Sequence, residues 1–199
     1  MGVRQYQYYM SPQDSCVQYS IRLQSVLASA DWTGVSSLAA AVEECWQSGR
    51  QVFFCGNGGS AGNAVHMAND LVYGVAKKTG GGIKATALTA NQSVITCFAN
   101  DLGYDSIYSE QLAVFAQAGD VLVALSGSGN SPNIVKAIEQ AKAMGVKTYA
   151  ILGYSGGACK ELVDVAIHFA IDDMQIAEDM QLIVGHMLMQ WLYTKRPQA

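Results

Sequence analysis

The sequence predicts an α/β fold in which a parallel sheet is covered on both faces by helices. Three observations predict it: strand-like and helix-like segments alternate along the chain, the strand-like segments are apolar without interruption, and turn residues close each of them. A strand with one solvated face alternates apolar and polar residues, whereas a strand buried on both faces does not. The five strands are expected at 51–55, 83–89, 120–126, 147–152 and 165–171.

Helices are expected before, between and after these strands. Ser11, Pro12 and Asp14 predict a helix start, with Ser11 as the N-cap, Pro12 in the first turn and Asp14 as the capping-box partner. The last helix is apolar nearly all round, which is typical of a buried helix and predicts that it lies between the sheet and another subunit. The predicted helices cover 12–29, 34–48, 60–73, 93–99, 104–117, 132–144, 156–163 and 174–194.

The composition narrows the class of protein. The 199 residues form one predicted domain over 1–199, with N-terminal helices in 1–49 and an αβα core with the C-terminal helix in 50–199. Half of the residues are hydrophobic and 14% are charged, against about 25% in typical soluble domains, so we expect an oligomer. A formal charge of −4 without a long basic run argues against nucleic-acid binding.

Two further features predict where the protein resides. The chain begins without the apolar run of a signal peptide, and no stretch reaches ~18 uninterrupted apolar residues, so we expect a cytoplasmic protein that does not bind membranes. The cysteines are scattered without a C-x-x-C pair, which favours reduced thiols over disulfides or a zinc knuckle. They are Cys16, Cys45, Cys55, Cys97 and Cys159.

A glycine-rich loop, GNGGS at 56–60, follows the first predicted strand. Gly58 and Gly59 allow backbone N–H groups to approach an anion closely, and Ser60 is predicted to cap the following helix. The run GNGGSA also fits the dinucleotide fingerprint G-x-G-x-x-A, but that fingerprint needs a carboxylate at the end of the second strand. The second strand ends in ALTANQS, 87–93, without one, so a hydride-transfer enzyme is disfavoured.

A second loop, SGSGNS at 126–131, follows the third predicted strand. Ser131 is the predicted N-cap of the next helix and Pro132 lies in its first turn, so the hydroxyls of Ser126, Ser128 and Ser131 converge on a helix N-terminus. Ligands of open parallel sheets bind beyond the carboxyl ends of the strands. Either loop alone is also typical of a tight turn, but the two together predict a site for a phosphate monoester without Lys or Arg.

Polar residues interrupt two otherwise apolar helices. His66 and Asp70 are four residues apart, hence on one helical face, and their apolar flanks predict little solvated surface. On the last helix, geometry alone pairs Asp179 with His186, whereas Glu178 reaches the same point only if that point lies off the helix axis. Such a set is typical of a divalent-metal site or an acid/base site, and the spacing does not choose between them.

These motifs together resemble the SIS sugar-isomerase domain. GNGGSA with its following His and Asp, AND.GYD at 99–105, LSGSGNSPN at 125–133 and a final helix with Glu and His carry a resemblance that covers essentially the whole chain. More narrowly, they are similar to the phosphoheptose isomerases, which convert sedoheptulose 7-phosphate to a D-glycero-heptose 7-phosphate. The resemblance implies a flavodoxin-like αβα sandwich with extra N-terminal helices, assembled as a homotetramer with active sites at subunit interfaces.

The resemblance also implies roles for particular residues. The implied substrate-binding residues are Asn57, Gly58, Gly59, Ser60, Asp101, Ser126, Gly127, Ser128, Ser131 and Glu178. Zinc or another divalent metal is implied at His66, Asp70, Glu178 and His186. Asp70 is the predicted catalytic base and His186 its acid/base partner in proton transfer through an enediol.

Three positions depart from the family pattern. The family's Glu on the first post-loop helix is Asp70 here, its Gln on the last helix is Glu178, and an Asp shortly before that position falls on Gln175. The residues implied for phosphate binding thus match the family pattern, whereas those implied for proton transfer and metal binding depart from it. An alternative therefore stays open, a non-catalytic SIS module that senses sugar phosphates or acts as an initiator-associating adaptor. His168, inside the fifth predicted strand, is interpreted as a packed core residue.

Overall fold

The computed structural model describes residues 10–195, and the chain divides after Ala30 into two compact units. The first unit contains helix α1, Pro12–Ser29. The Ser11 hydroxyl accepts a hydrogen bond from the Asp14 backbone N–H at 3.1 Å and donates to the Asp14 carboxylate at 2.6 Å. The predicted start of this helix is therefore confirmed.

The second unit is built on a five-stranded parallel sheet in the order β2-β1-β3-β4-β5. This is the strand order of the flavodoxin-like fold, so the predicted fold class is confirmed. The strands are β1 Val52–Gly56, β2 Ala85–Ala87, β3 Val121–Ser126, β4 Lys147–Leu152 and β5 Val165–His168. The strands at the two edges, β2 and β5, are shorter than predicted, and each pairs with one neighbour only.

The register of the sheet places the two glycine-rich loops side by side. Gly56, the last residue of β1, is paired with Leu125, the penultimate residue of β3. The chain leaves β1 toward β2 on one side, and β3 lies on the other, so the gap between β1 and β3 is the topological switch point of the sheet. Ligand sites of this architecture lie at that gap.

The helices of the second unit cover the sheet. One layer packs α6 and α7 on the strands through buried side chains that include Leu112, Ile138, Phe53 and Leu122. In the other, α9 contacts both α2 and α3, and α2 and α3 also contact strands. The helices are α2 Thr33–Ser48, α3 Gly59–Asn69, α4 Ala76–Thr79, α5 Gln92–Asp101, α6 Ser109–Phe115, α7 Pro132–Ala143, α8 Gly157–Leu162 and α9 Met174–Leu192.

Two helices predicted as continuous are interrupted. The segment predicted at 60–73 changes after Asn69 into a π-helical turn, Asp70–Gly74, in which the Val75 N–H donates to the Asp70 carbonyl at 2.8 Å. The segment predicted at 104–117 divides into a 3₁₀ turn, Tyr104–Ser106, and α6. π-helical turns are frequent at functional sites, and this one begins at a predicted site residue.

Helix α9 buries one stripe of its surface. Its buried apolar residues recur every three or four positions, and Met187 on another face is 41% exposed. From its sequence, α9 is expected to be buried nearly all round. In the structure it has one buried stripe and another face that is partly exposed. Within residues 10–195, none of the helices has the length and apolarity that crossing a bilayer requires.

Candidate functional site

A cavity of about 270 Å³ lies at the carboxyl edge of the sheet, where the loops after β1 and β3 meet the start of α9. Every residue that the resemblance implied for substrate binding lines it except Asp101. Asp101 lies at the end of α5, where its carboxylate accepts a hydrogen bond from Asn100 at 2.7 Å. The lining residues are Asn57, Gly58, Gly59, Ser60, Leu125, Ser126, Gly127, Ser128, Ser131, Met174 and Glu178.

The loop after β1 depends on glycine at one position. Gly58 has φ +56°, a conformation that glycine adopts without strain, and α3 then begins at Gly59. Ser60 is therefore inside the helix rather than at its N-cap, so the prediction that it caps α3 is wrong. Its buried hydroxyl instead accepts a hydrogen bond from the Gln181 side chain at 3.0 Å.

The loop after β3 is ordered by its own serines. Ser126 Oγ accepts a hydrogen bond from the Gly129 N–H at 3.0 Å, which curls the loop over the end of the strand. Ser131 is the N-cap of α7 and Pro132 occupies its first turn, as predicted, and the Ser131 hydroxyl makes no bond to the first turn of that helix. This hydroxyl lines the cavity, so it can bind a ligand without breaking a helix cap.

Asn57 is held in place by an amide pair that the sequence analysis missed. Its side chain exchanges two hydrogen bonds of 2.8 Å with the side chain of Asn133, which is buried in the first turn of α7. Tyr104 Oη also donates to Asn57 Oδ1 at 3.3 Å, and Tyr108 Oη donates to the Gly56 carbonyl. Burial raises the pKa of Tyr108, so it stays a neutral donor. Asn133 is the last residue of the motif LSGSGNSPN, so the sequence did contain a signal for this amide pair.

The cavity is suited to an anion by dipoles rather than by cations. Within residues 10–195, no Lys or Arg lines it, and Glu178 is its one charged side chain. Glycine-exposed amides, hydroxyls and two helix N-termini remain, and these bind phosphate oxygens. The Glu178 carboxylate lies directly against Gly59, where both of its oxygens would collide with any added Cβ.

A second group of polar side chains, the His–Asp–His cluster, is formed by His66, Asp70 and His186. His66 Nε2 is 3.0 Å from His186 Nε2, and Asp70 Oδ2 is 3.3 Å and 3.8 Å from these two nitrogens. The imidazoles are about half exposed, while the Asp70 side chain is 13% exposed. The flanks of the pair are less buried than predicted, since Val65 is 43% exposed.

The donor set of this cluster fits a divalent metal. Two imidazole nitrogens and one carboxylate oxygen are ligands that zinc prefers. Asp70 Oδ2 is buried and accepts no hydrogen bond from any residue between 10 and 195, as expected for an oxygen that has a ligand to bind. Among residues 10–195, the possible ligand atoms that all lie within 4.8 Å of one another belong to His66, Asp70 and His186. Glu178 and Asp179 are not part of this group.

The remaining polar candidates lie elsewhere. His168, at the end of β5, is half-buried and its Nε2 is 2.9 Å from the Tyr154 carbonyl. Asp105 pairs with Lys136, whose hydrogen bond lowers the pKa of that carboxyl. Neither pair belongs to the cavity lining or to the His–Asp–His cluster.

Comparison with known proteins assigns the family. A model of the SIS domain matches residues 17–153. The chain is 35% identical over 176 residues to a phosphoheptose isomerase of Chlorobaculum parvum, which covers 86% of this chain and 83% of the relative. It is 40% identical over 154 residues to a phosphoheptose isomerase of Akkermansia muciniphila, with 77% and 81% covered. The chain belongs to the SIS domain family, among the phosphoheptose isomerases.

A solved structure supports the same assignment. The phosphoheptose isomerase from Francisella tularensis matches this SIS domain with a TM-score of 0.87 at 28% identity, over 94% of this chain and 100% of that one. The SIS family match ends before α9, but the structural match covers nearly the whole chain. The resemblance drawn from the sequence motifs is thereby confirmed.

Proposed function

We propose that this SIS domain is a phosphosugar isomerase that converts sedoheptulose 7-phosphate to D-glycero-heptose 7-phosphate through an enediol intermediate. The relatives that carry the name phosphoheptose isomerase support this substrate. The observation that carries the proposal is that one pair of helices, α3 and α9, contributes both to the cavity and to the His–Asp–His cluster.

The separation of the two groups fits a long substrate. Along α3, Ser60 and His66 are six residues apart, a rise of about 9 Å, and along α9 Glu178 and His186 are eight apart, about 12 Å. An aldose or ketose phosphate in its open-chain form has its phosphate at one end and its carbonyl at the other. A heptose phosphate seated in the cavity can therefore extend toward the cluster.

The cavity holds the phosphate end in this proposal. Backbone amides of the two loops and the hydroxyls of Ser126, Ser128 and Ser131 bind the phosphate oxygens, while Asn57 and Ser60 contact sugar hydroxyls. Asp101 is outside the cavity of a single chain, so its proposed sugar contact would require a neighbouring subunit. Binding energy from the phosphate fixes the open chain in register and lowers the barrier at its other end.

The cluster handles the protons. Asp70 takes the proton from the carbon next to the carbonyl, which gives the enediol, and returns it to the neighbouring carbon. His186 transfers the proton between the carbonyl and hydroxyl oxygens, so atoms and charge balance over the cycle. The carboxylate and the imidazole lie 3.8 Å apart, close enough to act on adjacent atoms of one substrate.

A divalent metal, zinc in our proposal, would be held by His66 Nε2, Asp70 Oδ2 and His186 Nε2, which would leave the second Asp70 oxygen and His186 Nδ1 for the proton transfers. A bound ion would polarise the substrate's oxygens and stabilise negative charge on them. Glu178, the fourth ligand implied by the resemblance, lies in the cavity instead, so its role as a ligand remains a prediction.

We also infer assembly into a homotetramer with sites at subunit interfaces. The half-exposed imidazoles and a largely apolar cavity of about 370 Å³ between α2 and α9 support it. Trp32, Met187 and Trp191 line this second cavity, and such surface is normally covered in solution. Light scattering on the full chain measures the assembly, and a monomeric mass would contradict it.

The function is tested with purified protein and a panel of phosphosugars. We expect turnover of sedoheptulose 7-phosphate, with an aldoheptose 7-phosphate as the product, and weaker turnover of pentose and hexose phosphates. Turnover of a shorter phosphosugar alone would contradict the substrate. No turnover of any, with binding intact, would favour the non-catalytic module.

A further inference from the structure

We infer that Gln181 is a positioning residue that fixes the register between the phosphate cavity and the His–Asp–His cluster. Gln181 lies on α9 between Glu178 and His186, and its side chain is 1% exposed. It belongs neither to the cavity lining nor to the cluster. Burying a side-chain amide costs desolvation free energy unless its polar atoms form hydrogen bonds. The hydrogen bonds of Gln181 therefore indicate its role.

The bonds of Gln181 join α9 to two positions of α3 that are about one turn apart. Its Nε2 donates to Ser60 Oγ at 3.0 Å, and its Oε1 accepts from Asn63 Nδ2 at 2.9 Å. Asn63 Nδ2 also donates to the Glu178 carbonyl at 3.0 Å. This amide network therefore fixes Ser60 and the backbone of Glu178, two residues that line the cavity.

The helices also touch one turn further along, at Gly185. A Cβ at Gly185 would lie 2.9 Å from Met67 Cγ, so the two helices approach here as closely as a glycine allows. Met67 follows His66 and Gly185 precedes His186, so this contact brings the two imidazoles together. A close apolar contact sets the distance between helices but permits sliding along the axis, whereas directional hydrogen bonds do not.

The amide network is thus the part of the α3–α9 contact that fixes the axial register. A shift along the axis would change the distance between the bound phosphate and the proton-transfer groups. Misplacement of a reacting atom by about 1 Å can cost on the order of 100-fold in rate. Phosphate affinity would change less, because most of the cavity lining comes from the loops after β1 and β3.

The test replaces Gln181 with Met, which keeps its length and removes both bonds. The matched control is Gln111→Met, because Gln111 is also buried, in α6, and its Nε2 donates to the Leu88 and Ile107 carbonyls, neither of which belongs to the cavity lining or the cluster. We expect Q181M to lower kcat by tenfold or more with KM changed less than threefold. Q111M should be less stable, but at temperatures below its unfolding transition its kcat and KM should equal those of the wild-type protein. Equal kcat in the two variants would overturn the inference.

A second measurement separates this inference from the proposed function, on which its kinetic readout rests. The chain has three histidines, so the imidazole NMR signals of His66 and His186 can be followed with His168 as an internal reference. We expect Q181M to shift the signals of His66 and His186 and to leave that of His168, with Q111M shifting none. If the wild-type protein turns over no phosphosugar while Q181M still shifts these signals, the proposed function is refuted and the positioning role is kept. Unshifted signals would refute the positioning role whatever the activity.

Discussion

The cavity between the loops after β1 and β3 and the His–Asp–His cluster are built in different ways. The cavity is formed mainly by two loops, each contiguous in sequence, that sheet register places side by side. The cluster joins single side chains of α3 and α9, and its two histidines are 120 residues apart in the chain. The cavity is therefore encoded locally, whereas the cluster depends on how two helices pack. Substitutions in the two regions should consequently affect different kinetic constants.

The largest effect is expected for Asp70→Asn in the cluster. The amide cannot accept the carbon-bound proton, so kcat should fall by about 10²- to 10⁴-fold, while KM changes only a few-fold because the cavity is intact. Steady-state kinetics with sedoheptulose 7-phosphate measures both constants. The control is Glu139→Gln, an exposed carboxylate on α7. Full turnover by D70N would remove Asp70 from the mechanism.

Measurement of the metal content tests whether the cavity and the His–Asp–His cluster are separate sites. Protein purified without chelator should bind about one divalent ion per chain, and His66→Gln or His186→Gln should lower its affinity at least tenfold. Glu178→Gln should keep the ion, because Glu178 lies against Gly59 in the cavity. Elemental analysis after dialysis measures this. Loss of the ion from E178Q would instead make Glu178 a ligand, as the family resemblance implied.

A smaller effect is expected in the cavity. Ser131→Ala removes one hydroxyl that lines it without breaking a bond to the first turn of α7. We expect KM to rise about 10-fold, near the lower end of what one hydrogen bond to a charged group contributes, with kcat within twofold. Ser20→Ala is the control, since that hydroxyl donates to the Val17 carbonyl within α1. A fall in kcat as large as that in D70N would mean that the two regions are not separable.

The smallest effect compares two glycines of α3. A Cβ at Gly62 meets no heavy atom within 4 Å, so Gly62→Ala should raise the free energy of unfolding by about 0.5–1 kcal/mol and leave activity unchanged. Gly59→Ala should lower activity, because its Cβ would displace the Glu178 carboxylate. Urea unfolding and steady-state kinetics measure the pair. Equal activity of both variants would show that Glu178 moves freely.

The sequence predicted what depends on neighbours along the chain. The five strands, the cap at Ser11 and the loop around Ser131 follow from local turn chemistry and apolar runs, and the structure has them. Ser60 was misassigned because the positive-φ turn at Gly58 makes Gly58 the N-cap, two residues earlier than predicted. Local patterns could not distinguish the two starts.

What the sequence could not predict depends on tertiary contact. The spacing of His66 and Asp70 indicated a shared face, and the family resemblance added Glu178 and His186. The approach of the helices at Gly185 shows that His186 joins the pair, while Glu178 does not. The π-helical turn at Asp70 breaks an otherwise regular helical pattern. Glu178 matched a ligand position by alignment of motifs, while packing placed its carboxylate in the cavity.

The central claim is that Asp70 moves a carbon-bound proton of a phosphosugar held by the cavity. Incubation of sedoheptulose 7-phosphate with the protein in D₂O, followed by NMR, measures that step directly. The wild-type chain should introduce deuterium at the carbon next to the carbonyl, and D70N should bind the sugar phosphate without exchange. Exchange by D70N at the wild-type rate would contradict the account.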